Sequence, residues 1–268
     1  MDIYQLKTAL HSGKRVYGML VASPSPRWLD AVESLELDFV FIDTEHIVLD
    51  RMLVSWMCHG YGGVGLPTLV RIPSANPVEA QRAIDGGAHG VIVPYVETAD
   101  QAKQMRGAIR FRPLKGERLV AALEDENSLD PDLRKYLEIL NGKLLYVINI
   151  ESVPAVNRLD EILEVPGLDA ILIGPHDLSC SLGIPEQYSH PIFETAVQLI
   201  IQKARSYGVG AGVHWQGDPQ RIADWINCGL NMIIYSSDLS SMCNKMSHDL
   251  IILRRVGNNL GGDIAPGT

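Results

Sequence analysis

The stretch from residue 148 to 179, INIESVPAVNRLDEILEVPGLDAILIGPHDLS, carries the pattern that decides the fold. It begins on an apolar run of strand type that delivers Asn149 and Glu151. A helical stretch follows over residues 154–163, with Pro154 in its first turn, where the missing N–H has no intrahelical partner to lose. A second apolar run, Ala170 through Ile173, meets Gly174 and Pro175 and then offers His176 and Asp177. Near-continuous apolar strands separated by a helix indicate a parallel sheet covered on both faces.

The unit recurs along the chain. Strand-type runs occupy residues 16–21, 38–43, 67–72, 90–96, 144–151, 168–174, 209–214 and 231–236. Helical stretches lie between them, among them 27–35, 77–86, 99–109, 154–163, 193–207 and 219–228. Repeated β/α units over this length suit an α/β fold of the closed (β/α)8 type, a TIM barrel. A doubly wound open sheet would be expected to carry a glycine-rich first βα turn, and LVASPSPR at residues 20–27 is not one. Residues 1–13 predict an extra N-terminal helix, and the charged insertion at 112–142 predicts a lid or an interface element. The expected organisation is one barrel domain over 1–256 and a flexible tail, GNNLGGDIAPGT, over 257–268.

Of the 268 residues 46% are apolar and 21% charged, enough for a large core, and the net charge is −9. That balance, without any Lys/Arg run, argues against nucleic acid or an anionic membrane surface as partner and for small molecules. No apolar segment approaches the roughly 20 residues of a membrane span, and the start resembles no secretory leader, so a cytoplasmic location is expected. Cys58, Cys180, Cys228 and Cys243 lie far apart and predict plain thiols rather than disulfides or a zinc knuckle.

In such a barrel the C-terminal strand ends converge on one mouth. The second strand delivers Asp43, Thr44, Glu45 and His46, and the third ends in Arg71. The fifth carries Asn149 and Glu151, placed on one side by the two-residue strand period, and the sixth delivers Asp177. Singly, Asp177 could be a helix cap, Arg71 an ion-pair partner and His46 a loop histidine. Together they form a set with chemistry. Glu151 and Asp177 suit a hard divalent cation such as Mg²⁺, Mn²⁺ or Co²⁺. A 2-oxo acid chelating that ion could lose a C3 proton or its C3–C4 bond to leave a stabilised enolate. Arg71 would share the developing charge, and His46, oriented by Asp43 or Asp85, would move the proton directly or through water. Asn149 would steady the substrate or a water.

Other chemistries fit less well. A Schiff-base aldolase needs a lysine in the mouth, and Lys143 precedes its strand. Serine hydrolysis lacks a Gly-x-Ser-x-Gly elbow. A zinc site from His176 and His214 has no closely spaced histidine pair behind it. Gly208, Gly210 and Gly212 alternate in a way that suits close strand packing better than a phosphate cradle.

DFVFIDTEH at residues 38–46, VRIPSANPVEAQRAIDGGAHGVIVPYVETADQA at 70–102 and the stretch at 148–179 resemble, in order, the signatures of the HpcH/HpaI family of class II pyruvate aldolases. The similarity covers about residues 14–250. The resemblance implies reversible cleavage of a 4-hydroxy-2-oxo acid to pyruvate and an aldehyde. It implies a metal on Glu151 and Asp177, contact of Arg71 with a pyruvate oxygen, and His46 as base or water activator with help from Asp43 or Asp85. It also implies pyruvate carboxylate binding at the Gly174-Pro175 turn, and hexamers built from dimers that exchange a last helix, here about residues 239–256. His176 neighbours that turn and is a candidate substrate contact. The sequence departs from the family's pattern at Asn149, where glutamine is common, at His176, at His214 with Trp215, and in KGERLVAALED within the insertion. Two alternatives remain: a CoA-thioester lyase of the citryl/malyl type, and a catalytically silent barrel that binds 2-oxo acids.

Overall fold

The structure, a computed structural model, describes residues 1–259. Eight parallel strands close into a barrel in sequence order: β1 (Val16–Leu20), β2 (Phe39–Asp43), β3 (Thr68–Arg71), β4 (Gly90–Val93), β5 (Leu145–Ile150), β6 (Ala170–Ile173), β7 (Gly210–Trp215) and β8 (Met232–Ser237), with β8 returning to β1. Every expected strand is present. Thirteen α-helices accompany them in the described residues: α1 (Ile3–Ser12), α2 (Arg27–Glu33), α3 (Arg51–Gly63), α4 (Pro77–Asp85), α5 (Ala99–Arg110), α6 (Gly116–Glu124), α7 (Pro131–Asn141), α8 (Val153–Asn157), α9 (Leu159–Leu163), α10 (Pro175–Ser181), α11 (Pro191–Ser206), α12 (Pro219–Asn227) and α13 (Asp238–Asn259).

The two-residue strand period sorts the side chains into two cores. Phe39, Phe41, Leu69, Ile92, Val147, Leu172 and Ile234 fill the barrel interior, while Val40, Ile42, Val70, Val91, Ile148 and Val213 pack beneath the helices. Large rings inside require small neighbours. A Cβ at Gly18 would lie 2.5 Å from the Phe39 ring, and one at Gly212 would lie 3.1 Å from Leu172 Cδ1. The glycines of β7 are therefore packing residues, as their alternation suggested.

The extra N-terminal helix closes one end of the barrel. Asp2 accepts from Gln5 N at 2.8 Å and Gln5 Oε1 accepts from Asp2 N at 2.9 Å, a capping box that fixes the start of α1; Gly13, at φ 81°, ends it. Ile3, Leu6, Ala9 and Leu10 enter the interior core, and full burial of Leu6 and Leu10 contributes about 1.5–3 kcal/mol each. Buried Asp169, at the start of β6, ties this end together: it faces His11 at 3.0 Å and Lys7 at 3.2 Å, pairs with Arg110, and accepts from Tyr146 N at 2.8 Å. The other end, at the strand C-termini, stays open.

Several elements differ from expectation. The helix expected over 154–163 is two, α8 and α9, broken at Arg158, whose backbone leaves the helical region. α3 was not among the expected helices. Its buried Val54, Met57, Cys58 and Tyr61 follow helical spacing behind an Asp50 cap, and the helix runs through Gly60 and Gly62 to end at Gly63. The insertion is helical, α6 and α7 around a small core of Phe111, Ala122, Leu129 and Leu137. It leaves from the end of α5 and rejoins at the start of β5, at the end opposite the mouth, so it is no lid over this chain's own mouth. α13 begins at Asp238 and runs to Asn259, past the expected end at 256, and the rest of the expected tail lies outside the described residues.

Candidate active site

The register that fills the barrel also aims its last inward residues at the mouth. Asp43 ends β2 beside Arg71 at the end of β3, the two being register partners. Arg71 grips Asp43 as a fork: Nε donates to Oδ1 at 2.9 Å and NH2 to Oδ2 at 2.6 Å. Burial alone would raise the Asp43 carboxyl, but the Arg71 hydrogen bonds and charge outweigh it and hold Asp43 below the usual range. Beneath them the Phe41 ring carries the Arg71 guanidinium at 5.5 Å from its centroid.

Glu45, two residues beyond Asp43, stands with Oε2 at 3.2 Å from Arg71 Nε and 3.7 Å from His46 Nε2. Its carboxyl is raised, chiefly by burial, with Asp43 and Asp177 adding to the rise. Glu45 was not among the expected site residues. The strand period that pairs Asn149 with Glu151 also pairs Asp43 with Glu45, and would have found it.

On β5, Asn149 Nδ2 donates to Glu151 Oε2 at 2.8 Å, and Tyr95 N donates to Oε1 at 2.7 Å. Tyr95 adopts φ 53°, a conformation uncommon outside glycine, to present that N–H. Glu151 is buried, and burial pushes its carboxyl up; the two hydrogen bonds oppose the rise, and Asp177 and Glu45 reinforce it. Asp177 lies half-buried in the first turn of α10. Gly174 makes room for this arrangement, since a Cβ there would lie 2.4 Å from Glu151 Oε2.

Asp43, His46, Arg71, Asn149, Gly174, Pro175, His176 and Asp177 line one cavity of about 820 Å³ at the mouth. Glu151 stands at its edge through Asn149 and Gly174. His214, Trp215, Gln216 and Ser237, from the ends of β7 and β8, complete the far wall.

Two expectations need correction. Asp85 is not brought to the mouth: it ends α4, at the barrel end where β4 begins, is 66% exposed and pairs with Arg112 of the insertion. Within one chain it therefore cannot orient His46. Neither is Asp43 the carboxylate nearest that ring, since its oxygens are taken by Arg71 and Glu45 is the one that faces His46. His176 borders the cavity, but its Nδ1 faces Glu186 at 3.6 Å and its Nε2 faces Cys180 Sγ at 4.0 Å, which engages the ring at the rim.

The donor set fits a hard divalent cation. Four carboxylates, Asp43, Glu45, Glu151 and Asp177, share the region with the single guanidinium of Arg71, and Glu151 and Glu45 are raised chiefly by burial, with the neighbouring carboxylates adding to the rise. Asn149 Oδ1 is a buried acceptor with no hydrogen-bond partner. Among the described residues no three His, Cys, Asp or Glu side chains converge on one point.

Comparison with known proteins agrees. The model of the HpcH/HpaI aldolase/citrate lyase family matches residues 16–244. The chain is 31% identical over 211 residues to 2-keto-3-deoxy-L-rhamnonate aldolase of Shigella boydii, covering 77% of each. It is 27% identical over 237 residues to 2-dehydro-3,6-dideoxy-6-sulfogluconate aldolase of Pseudomonas putida, covering 88% of this chain and 92% of that one. Among solved structures, the HpcH/HpaI aldolase of Desulfitobacterium hafniense superposes with a TM-score of 0.80 at 26% identity, over 93% of this chain and 96% of that one. With the family matched across the whole barrel and aldolases as its relatives, the chain belongs to the HpcH/HpaI aldolase/citrate lyase family, an enzyme of the carbon–carbon lyase class.

Proposed function

We propose that the protein is a class II aldolase that reversibly cleaves a 4-hydroxy-2-oxo acid to pyruvate and an aldehyde, with a divalent cation, Mg²⁺, Mn²⁺ or Co²⁺, held by Glu151 and Asp177. The observation that carries the reading is the buried Glu151 carboxylate, fixed by Asn149 and Tyr95 beside the like charges of Asp177 and Glu45. The bound cation supplies Lewis-acid polarisation of the 2-oxo group.

The chain's own residues do the rest. Arg71, locked on Asp43, presents its guanidinium toward the 2-oxo oxygen as charge develops there. Asn149 offers Oδ1 to a bound water or substrate donor. His46, on the loop after β2 and facing Glu45, takes the 4-hydroxyl proton directly or through water and returns it in the reverse direction. The Gly174-Pro175 turn seats the pyruvate carboxylate. Pro175 has no N–H, so the donors are the next backbone groups of α10, at His176 and Asp177.

The barrel with its flanking helices, residues 1–256, acts as one domain in the cytoplasm on small molecules. Among the described residues no helix is long and apolar enough to cross a membrane. The exposed stripe Leu239, Met242, Met246, Leu250 and Leu253 on α13 supports exchange of this helix between protomers of a hexamer built from dimers.

Exchange of pyruvate methyl protons with solvent deuterium tests the reading without any knowledge of the aldehyde. It should require a divalent cation and be lost in Glu151→Gln and Asp177→Asn; exchange retained in both variants would move the metal elsewhere.

A further inference from the structure

We infer that His214 is a specificity-determining residue of this site, a hydrogen-bond acceptor for a hydroxyl on the aldehyde half of the substrate, which selects uncharged hydroxyaldehydes over anionic ones. The inference deepens the aldolase reading above and rests on it.

His214 is the last inward residue of β7: Gly210 and Gly212 precede it at two-residue spacing, while Ala211, Val213 and Trp215 face the helices. Its ring meets Phe41 edge-on, centroids 5.5 Å apart, so the ring that carries Arg71 also supports His214. The far wall of the mouth thus shares a rigid floor with the charged half.

The proton position follows from the partners. His214 Nε2 lies 3.3 Å from the Ser236 carbonyl oxygen, which can only accept, so Nε2 carries the hydrogen and Nδ1 keeps its lone pair. The Gln216 amide nitrogen, 3.5 Å from the same Nε2, is at the limit of a hydrogen bond and would compete only in the other tautomer. Ser236 holds its carbonyl there from φ 59°, a backbone conformation that costs energy and clusters at functional sites. Its hydroxyl accepts from Ser241 at 3.0 Å, anchoring it to α13. Burial and the nearby Arg71 charge keep the imidazole neutral, at a pKa of about 4.

A neutral ring with an unused lone pair accepts from an O–H and repels a carboxylate or sulfonate oxygen. No compensating cation is at hand: among the described lining residues Arg71 is the one Lys or Arg, and Asp43 occupies it. A site built to bind a hydroxyl discriminates strongly against the analogue lacking it, because its polar group is left unpaired.

The test adds pyruvate to three aldehydes, 2-hydroxypropanal, propanal and succinic semialdehyde, with Mn²⁺ present, and compares kcat/KM within each protein so that changes in enolate formation cancel. The wild type should favour 2-hydroxypropanal over propanal by about ten-fold or more and over succinic semialdehyde as well. His214→Leu should bring the hydroxyl preference to near one, and His214→Gln, which keeps an acceptor, should restore part of it. A preference unchanged in His214→Leu, or a wild type that favours the anionic aldehyde, overturns the assignment. Methyl-proton exchange of pyruvate, run on the same samples, separates the two failures: exchange with a flat aldehyde profile sinks only the role of His214, and no exchange sinks the aldolase reading with it.

Discussion

Asn149 Nδ2 donates to Glu151 Oε2 across 2.8 Å while Asn149 Oδ1 stays buried without a partner. One amide thus holds a carboxylate in place and keeps an acceptor in reserve. The hydrogen bond also opposes the upward push of burial on Glu151. Replacing Asn149 by Leu removes that opposition, so the carboxyl rises further and protons compete more strongly with the cation. Mn²⁺ affinity, followed by electron paramagnetic resonance, should fall about 10–100-fold at neutral pH and recover in part as pH rises. Unchanged affinity at every pH would show that Asn149 does not position this ligand.

The raised Glu151 carboxyl has a stability consequence of definite sign. A carboxyl whose folded pKa lies above its unfolded value binds more protons in the native state. Its stabilising effect is therefore complete at low pH and lost as pH rises from the unfolded value through the folded one. Without metal at pH 7.5, Glu151→Gln should consequently melt at or above the wild type. Saturating Mn²⁺, at about 100 times its Kd, should stabilise the wild type by about 2.7 kcal/mol and leave the variant unmoved. Equal stabilisation of both proteins would place the ion away from Glu151.

Gly174→Ala is the smallest change that should break the site from the β6 side. Its Cβ would meet Glu151 Oε2 at 2.4 Å and Glu151 Cβ at 2.9 Å, so the carboxylate must move. Gly174 has φ −96°, which alanine adopts freely, so the fold should persist. Circular dichroism should match the wild type while proton exchange drops by about 100-fold. A fully active variant would mean that the carboxylate has room the structure does not give it.

His214 gives a pH signature opposite in sense to that of Glu151. Its pKa is about 4 in the fold, mainly through burial, against about 6.5 when unfolded. The unfolded chain binds the extra proton first, so stability is lost as pH falls from about 6.5 toward 4. Buried carboxylates held low, such as Asp43 and Asp169, act in the same direction, so the readout is a difference between proteins. Between pH 7.5 and 4.5 the wild type should lose about 2–3 kcal/mol more than His214→Phe in urea unfolding. Equal losses would show that the imidazole is solvated in the native state.

The barrel was legible because its strands are nearly all apolar and its helices begin at well-placed prolines, as at Pro77, Pro154 and Pro219. Strand ends were legible for the same reason: a period of two cannot slip without turning Asn149 and Glu151 into the helical layer. What failed was long-range. Asp85 sits in a motif next to site residues in sequence, but α4 runs back down the barrel and carries its last residue to the far end. His176 does border the cavity beside Asp177, but the approach of Glu186 to its ring, made by the loop after α10, is another long-range contact that the local sequence does not show. Glu45, delivered by the second strand together with Asp43 and His46, was given no role, although the two-residue spacing from Asp43 brings it to Arg71.

The most direct test of the central claim is deuterium exchange into the methyl group of pyruvate, followed by proton NMR on the metal-stripped protein before and after Mn²⁺ is restored. The account predicts negligible exchange without metal, rapid exchange with it, and loss of that exchange in Glu151→Gln. Exchange that proceeds equally well in the stripped protein, or that is absent from the wild type with Mg²⁺, Mn²⁺ and Co²⁺ alike, would contradict it.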